Sequence, residues 1–312
     1  MARLLLLGAN GQVGFELLSH RAPLGDVVAT TRSGVLPGAI GCEALDLASE
    51  GAVADLIGRV RPDCIVNAAA YTAVDRAEDE PAAAERGNAG ALAEIGAAAR
   101  ACGALVVHYS TDYVFPGDGV RPYREDDATG PQSVYGRTKL SGELALAHSG
   151  VDHLIFRTAW VYGARGHNFL RTMLRLAGER ERLGVVDDQR GAPTPVALIA
   201  AVTAQAIAHW QRASIVQRES LRGIHHLAST GETTWHGFAT AIFERAVAAG
   251  LLSRAPVVDA IASTAFPAKA QRPAYSVLDT TRLRESFGMH LPSWSSGLDR
   301  VIAELATRQA AG

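Results

Sequence analysis

The chain opens on an apolar run at residues 4–7 that stops at Gly8. Similar short runs recur at 27–29, 64–66, 105–108 and 154–156, the second of these opened by the turn pair Pro62-Asp63. Short apolar runs without alternation read as strands buried on both faces of a parallel sheet. Between them lie segments such as 81–101, rich in Ala, Glu and Leu, which favour helix. This alternation over the first 160 residues predicts an α/β fold, a Rossmann-type doubly wound parallel sheet.

Beyond Trp160 the pattern loosens. Residues 168–179 and 196–208 read as helices and 223–227 as a short strand. Residues 233–249 read as a helix capped near Thr233 or Thr234, 256–272 as mixed, and 294–307 as a closing helix. A single core rarely grows past about 250–300 residues, so 312 residues predict two lobes. Residues 1–160 are assigned to the sheet lobe, with segments 193–215 and 273–283 returning to it. Residues 161–312 mainly form a smaller, interleaved second lobe.

Composition narrows the function. Hydrophobic residues make up 48% of the chain, enough for a large core and against disorder. A formal net charge of −2 leaves no electrostatic footprint for nucleic acid or an anionic membrane. The three cysteines, Cys42, Cys64 and Cys102, form no CxxC pair, which fits a reducing compartment. The opening leucine run is too short for a signal peptide, and no stretch reaches the ~20 apolar residues of a spanning helix. The expected location is cytoplasmic.

Directly after the first strand comes Gly8-Ala9-Asn10-Gly11-Gln12-Val13-Gly14, opening a helix. Glycines allow a tight turn and close backbone approach to a pyrophosphate, and a helix N-terminus offers free N–H groups. The spacing is G-x-x-G-x-x-G, so an ordinary strand–helix turn is the competing reading. The second strand ends Ala29-Thr30-Thr31-Arg32-Ser33 without the carboxylate that NAD-specific domains use for the ribose. Arg32 and Ser33 suit a 2′-phosphate instead, which favours NADPH with NADH as a second possibility; otherwise Arg32 is a solvated loop residue. Asp46 and Leu47 are candidates for the adenine end, and Asp46 equally for a helix N-cap.

Tyr135 and Lys139 stand four apart, on one face of a predicted helix. An ammonium beside a phenol lowers the phenol's pKa from about 10 and fits it for proton exchange with an alkoxide. The spacing alone is weak, since solvated helix faces carry it often. Its meaning comes from its position after the glycine loop, Asn67-Ala68-Ala69-Ala70 and Ser110-Thr111-Asp112, with Thr111 at the carboxyl end of a strand. His225-His226 with His236 lack a Cys or acid partner at ligand spacing, and two adjacent histidines on a strand face opposite ways. No metal site is assigned there.

Read together, these segments resemble the dTDP-4-dehydrorhamnose reductases of the extended short-chain dehydrogenase/reductase family, from one end of the chain to the other. The most specific stretches are 67–75 (Asn-Ala-Ala-Ala-Tyr-Thr-Ala-Val-Asp), 157–163 (Arg-Thr-Ala-Trp-Val-Tyr-Gly) and 188–194 (Asp-Gln-Arg-Gly-Ala-Pro-Thr). Arg272-Pro273 also matches. The resemblance implies NADPH-dependent reduction of the C4 carbonyl of dTDP-4-dehydrorhamnose to dTDP-L-rhamnose, with Thr111, Tyr135 and Lys139 as catalytic trio and Tyr135 as proton donor. It implies that Gly11, Gln12, Val13, Thr31, Asp46, Leu47, Ala70, Tyr71, Thr72 and Tyr109 line the cofactor; Gly8 of the glycine loop, Tyr135 and Lys139, which can reach the ribose, are expected there too. Thr72, Val74, Tyr113 and Trp160 would surround the sugar, with Thr111 and Asp112 beside its carbonyl. Trp160 offers a flat indole to an apolar sugar face; a core tryptophan is the plainer reading. Some members hold Mg²⁺ between subunits with clustered carboxylates. Glu16 is in place here, but Ala197 stands where they carry glutamate, which puts that metal and its dimer in doubt and leaves monomer or homodimer open. Two rivals remain: a nucleotide-sugar dehydratase or epimerase, disfavoured because Tyr113 occupies the place of the eliminating acid, and a non-catalytic regulatory subunit, disfavoured because Tyr135 and Lys139 are both present.

Overall fold

The computed structural model describes residues 2–19, 25–37 and 41–310. Its centre is a seven-stranded sheet of β1 (Arg3–Leu7), β2 (Asp26–Thr31), β3 (Cys42–Ala44), β4 (Cys64–Asn67), β5 (Leu105–Thr111), β6 (His153–Thr158) and, much later in the chain, β11 (Gly223–His226). The spatial order is β11-β6-β5-β4-β1-β2-β3, and every pairing is parallel.

The leucine run explains its own burial. Leu4 and Leu6 face a core shared with Leu17, Ile199, Ile207 and Phe287, while Leu5 and Leu7 face one shared with Ile57, Ile95 and Leu146. Alternate residues of one strand thus seed two layers, and helices cover both faces. The first core is completed by the helix Val196–Arg212 and by Leu283 and Phe287 of the short helix Thr281–Phe287, both far along the chain.

The five early strands lie where the apolar runs predict them, each slightly longer than its run. β3 has no such run. Its Cys-Glu-Ala sequence is strand only because Cys42 to Ala44 pair with Ala29 to Thr31 at the sheet edge. The segment expected as one helix over 81–101 contains a π turn, Arg86–Gly90, between Pro81–Glu85 and Ala91–Cys102. The helix expected from 233 begins after a two-residue strand β12 (Thr233–Thr234), and Thr234 caps it by accepting from Gly237 N at 3.0 Å.

The second core gathers Leu170, Phe238, Ile242, Leu298 and Ile302 from the helices Phe169–Glu179, Trp235–Ala248 and Trp294–Ala310. Short strand pairs tie it down: β7 (Val161–Tyr162) with β10 (Thr194–Pro195), β8 (Arg182–Val186) with β13 (Val257–Ile261), and β9 (Arg190–Gly191) with β12. Among the described residues no helix is long and apolar enough to cross a membrane.

Candidate active site

One cleft of about 770 Å³ runs along the carboxyl ends of the parallel strands, where open α/β sheets place their ligands. Of the cofactor, substrate and catalytic residues expected from the sequence, all but Ser33 line it. At one end lie Gly8, Gly11, Gln12, Val13, Thr31, Arg32, Asp46 and Leu47; along the middle Ala70, Tyr71, Thr72 and Tyr109; at the other end Val74, Thr111, Asp112, Tyr113, Tyr135, Lys139 and Trp160.

The glycine loop is shaped by close approach. Gly8 has φ +77°, and a Cβ there would meet Ala69 Cβ at 2.8 Å. A Cβ on Gly14 would stand 2.2 Å from the Gly8 carbonyl oxygen. Gly11 N donates to that same oxygen at 3.0 Å. The turn therefore folds tightly onto the N-terminus of the helix Gln12–Ser19, leaving helix N–H groups directed at the cleft. Arg32 is exposed at the mouth. Asp46 caps a turn through Ala48 N at 3.0 Å, not the helix Ala52–Val60, whose N-cap is Gly51.

The helix Val134–His148 carries Tyr135 and Lys139, and Ser133 caps it by accepting from Gly136 N at 3.1 Å. It packs unusually close to its neighbours at two glycines. A Cβ on Gly136 would sit 2.3 Å from Tyr113 O, and one on Gly142 2.1 Å from Asn88 O. The first contact brings Tyr135 against the end of β5, with the Thr111 side chain near its hydroxyl. The π turn serves the same end. Asn88 accepts from Tyr71 N at 2.9 Å and donates to Tyr71 O and Thr138 Oγ1, tying the 70–72 loop to the tyrosine helix.

Thr111 Oγ1 also donates to Asp112 Oδ1 at 3.0 Å and accepts from Tyr113 N at 3.2 Å. Three buried oxygens at this end, Ser110 Oγ, Asp112 Oδ2 and Thr158 Oγ1, have no protein partner although all three residues line the cleft. Such buried polar atoms require a partner, and a polar ligand is the natural one. Burial pushes the Asp112 carboxyl up to about 6.

The expected lowering of the Tyr135 pKa by Lys139 is not found. Burial pushes the phenol up to about 12, the neighbouring Thr111 hydroxyl opposes this, and the nearby Asp112 charge adds to it. The reason is where the amine goes. Lys139 is 1% exposed, and its Nζ lies 2.9 Å from His108 Nε2 and donates to Tyr109 O at 2.6 Å. Tyr109 thus contributes its carbonyl here, while its hydroxyl turns to Thr203 at 2.8 Å, among side chains of the first core.

At the sugar end Trp160 adopts φ +49°, rare for a bulky residue, and stacks on Trp235 with ring centroids 3.5 Å apart. Trp235, Phe169, His167 and Arg86 line the cleft without having been expected from the sequence. Nothing in their spacing marks them, because the second lobe delivers three of them through tertiary packing. His108 left a trace: it is the one polar side chain in the apolar stretch 105–108. Ala197 is exposed, and among the described residues no group of three or more His, Cys, Asp or Glu stands close enough to hold a metal ion.

A family model described as the RmlD substrate binding domain matches residues 2–307. The chain is 46% identical over 308 residues to a dTDP-4-dehydrorhamnose reductase of Shigella flexneri, covering 98% of this chain and 99% of that one. It is 45% identical over 308 residues to one from Burkholderia thailandensis, covering 98% of this chain and 100% of the other. The crystal structure of dTDP-4-dehydrorhamnose reductase from Bacillus anthracis in complex with NADP superposes with a TM-score of 0.85 at 34% identity, over 97% of this chain and 99% of that one. With its parallel sheet, glycine loop and Thr111/Tyr135/Lys139 cluster, the chain belongs to the dTDP-4-dehydrorhamnose reductase family of oxidoreductases.

Proposed function

We propose that this protein reduces the C4 carbonyl of dTDP-4-dehydrorhamnose to give dTDP-L-rhamnose, with NADPH as reductant and Tyr135 as proton donor. The observation that carries the reading is convergence. Thr111, Tyr135 and Lys139 come from β5 and one helix to a single end of the cleft whose other end is the glycine loop.

The loop residues and the N-terminus of the helix Gln12–Ser19 fit a pyrophosphate, and Arg32 at the mouth fits a 2′-phosphate. NADPH, when bound there, supplies the hydride. The chain's own residues do the rest. Ser110, Asp112 and Thr158 offer unsatisfied buried oxygens to the sugar hydroxyls and carbonyl. Tyr135, its pKa held near 12, stays protonated at neutral pH and carries the proton to the carbonyl oxygen as that oxygen becomes an alkoxide, a stronger base than phenolate. Thr111 orients the phenol. Trp160, Tyr113 and Val74 wall the sugar so that one face meets the hydride.

The direct test supplies the dTDP-linked 4-keto-6-deoxy-L-sugar with NADPH, follows nicotinamide absorbance and identifies the product. NADPH consumption yielding the L-rhamno sugar is expected. Absence of consumption by protein that still binds NADPH overturns the proposal in favour of a regulatory subunit. A 4-epimeric product overturns it in favour of a sister reductase.

A further inference from the structure

We propose that His108 is a positioning residue for Lys139: oriented by Asn67, it pins the buried amine and holds down its affinity for a proton. The argument is one of donors and acceptors. Ala69 N donates to Asn67 Oδ1 at 3.2 Å, which fixes which end of that amide is oxygen. Asn67 Nδ2, a donor only, then faces His108 Nδ1 at 3.2 Å. His108 Nδ1 must accept, so in the neutral ring the proton sits on Nε2. That N–H points at Lys139 Nζ, 2.9 Å away. An ammonium has no lone pair to receive it, whereas a neutral amine accepts from His108 and still donates to Tyr109 O at 2.6 Å. The four bonds run in one direction, from Ala69 to Tyr109, only when Lys139 is uncharged.

The surroundings agree. Asn67, His108 and Lys139 are each at most 2% exposed. Burial pushes Lys139 down to about 8, with Glu143 opposing, and keeps the His108 ring neutral, well below the usual histidine range. The other charged or titratable groups near this chain are Tyr135 on the lysine's own helix, Asp112 after β5, and Arg157 on β6, whose guanidinium is engaged by Glu143 at 2.7 Å. Protonating Lys139 therefore requires His108 to move its ring proton to Nδ1, against Asn67. In the proposed reaction the charged form of Lys139, which lines the cleft, is the one that donates to the ribose hydroxyls of the cofactor. On that reading His108 and Asn67 set the alkaline limit of turnover.

The sequence makes the test clean, because the chain has two lysines, Lys139 and Lys269. Lys269 is exposed, pairs with Asp79 at 2.5 Å and serves as internal reference. Protein labelled with ¹³C at lysine Cε is titrated by NMR, alongside ¹⁵N-histidine spectra in which His108 is assigned by its loss in His108→Phe. The unsubstituted protein is expected to show Lys139 titrating below Lys269 and, above the Lys139 midpoint, His108 protonated at Nε2. In Asn67→Leu, where His108 is free to accept, the Lys139 midpoint is expected to rise by about one pH unit, tenfold in proton affinity, and the alkaline limb of kcat/KM to rise with it. The shift is expected to vanish when Asn67→Leu is combined with His108→Phe. A His108 proton on Nδ1 in the unsubstituted protein above the Lys139 midpoint, where the amine is neutral, overturns the proposal even if no variant folds. So does a Lys139 midpoint that Asn67→Leu leaves unmoved. Shifted NMR midpoints with an unmoved activity limb would instead count against the assignment of Lys139 to catalysis.

Discussion

Trp160 lies flat on Trp235, their planes 3° from parallel, with Gly191 beneath leaving room: a Cβ there would come within 2.4 Å of the Trp160 indole. Both rings line the sugar end of the cleft, Trp160 from the segment that follows β6 and Trp235 from the second lobe. A ring held in a left-handed backbone conformation is held by its neighbours. Trp235→Ala removes one of them. The expected outcome is a KM for the nucleotide-sugar raised about tenfold, since stacked aromatic pairs contribute about 0.5–1.5 kcal/mol beyond their buried area. Steady-state kinetics and cofactor titration check it. An equal loss of NADPH affinity would remove the pair from the sugar site.

Tyr135→Phe keeps the ring, and with it the edge-to-face contact with Tyr113 at 5.6 Å, but deletes the proton donor. Turnover is expected to fall about 10²–10⁴-fold, with the Kd for NADPH nearly unchanged. Near-normal turnover in this variant rules Tyr135 out as the acid.

Arg32 stands exposed at the mouth of the cleft, beyond β2. If it meets a 2′-phosphate, Arg32→Ala raises the KM for NADPH tenfold or more and leaves that for NADH alone, because a charge-assisted hydrogen bond contributes about 1.5–3 kcal/mol. Parallel measurements with the two cofactors decide it. Equal effects on both take Arg32 out of the site.

Asp75 and Arg272, distant in sequence, form a two-pronged pair at 2.7 and 3.1 Å, and Ala270 N also donates to Asp75. The Arg272 guanidinium holds the Asp75 carboxyl below its ordinary range against the opposing effect of burial. A carboxyl lowered in the folded state contributes stability above its unfolded pKa and loses that contribution as pH falls through the folded value. Asp75→Asn is therefore expected to unfold more easily than the unsubstituted protein at pH 7, by about 1 kcal/mol because the pair is partly exposed. The deficit should vanish below the carboxylate range. Urea unfolding at pH 7 and in acid measures both, and a deficit that persists in acid contradicts the ion-pair account.

The sheet was largely legible because its strands are buried on both faces and so written in continuous apolar runs. β3 was not, since Cys42–Ala44 owes its conformation to an edge partner and carries no run of its own. The π turn at Arg86–Gly90 was hidden for a related reason: helix propensity does not register an extra residue in a turn, and only the tertiary bonds of Asn88 favour it. At the site, the glycine loop, Thr111, Tyr135 and Lys139 were legible through their order and spacing. The electrostatics were not. That Lys139 meets His108 instead of lowering the Tyr135 pKa depends on how closely Gly136 and Gly142 let one helix approach, a distance no motif records.

The late arrival of β11 and of the helix Val196–Arg212 bears on how the chain is made. Residues 3–158 supply six of the seven strands, yet the apolar face built from Leu4, Leu6, Val66, Val107 and Phe156 is covered by Ile199, Ile207 and Trp210. At the ribosome, where a chain grows by about 5–20 residues per second, that face has only the helix Gln12–Ser19 over it for seconds after its last early strand has emerged. A nascent chain stalled near residue 160 would present a half-roofed sheet, the kind of surface that chaperones hold and that aggregates form on, and release of residues 196–226 would close it.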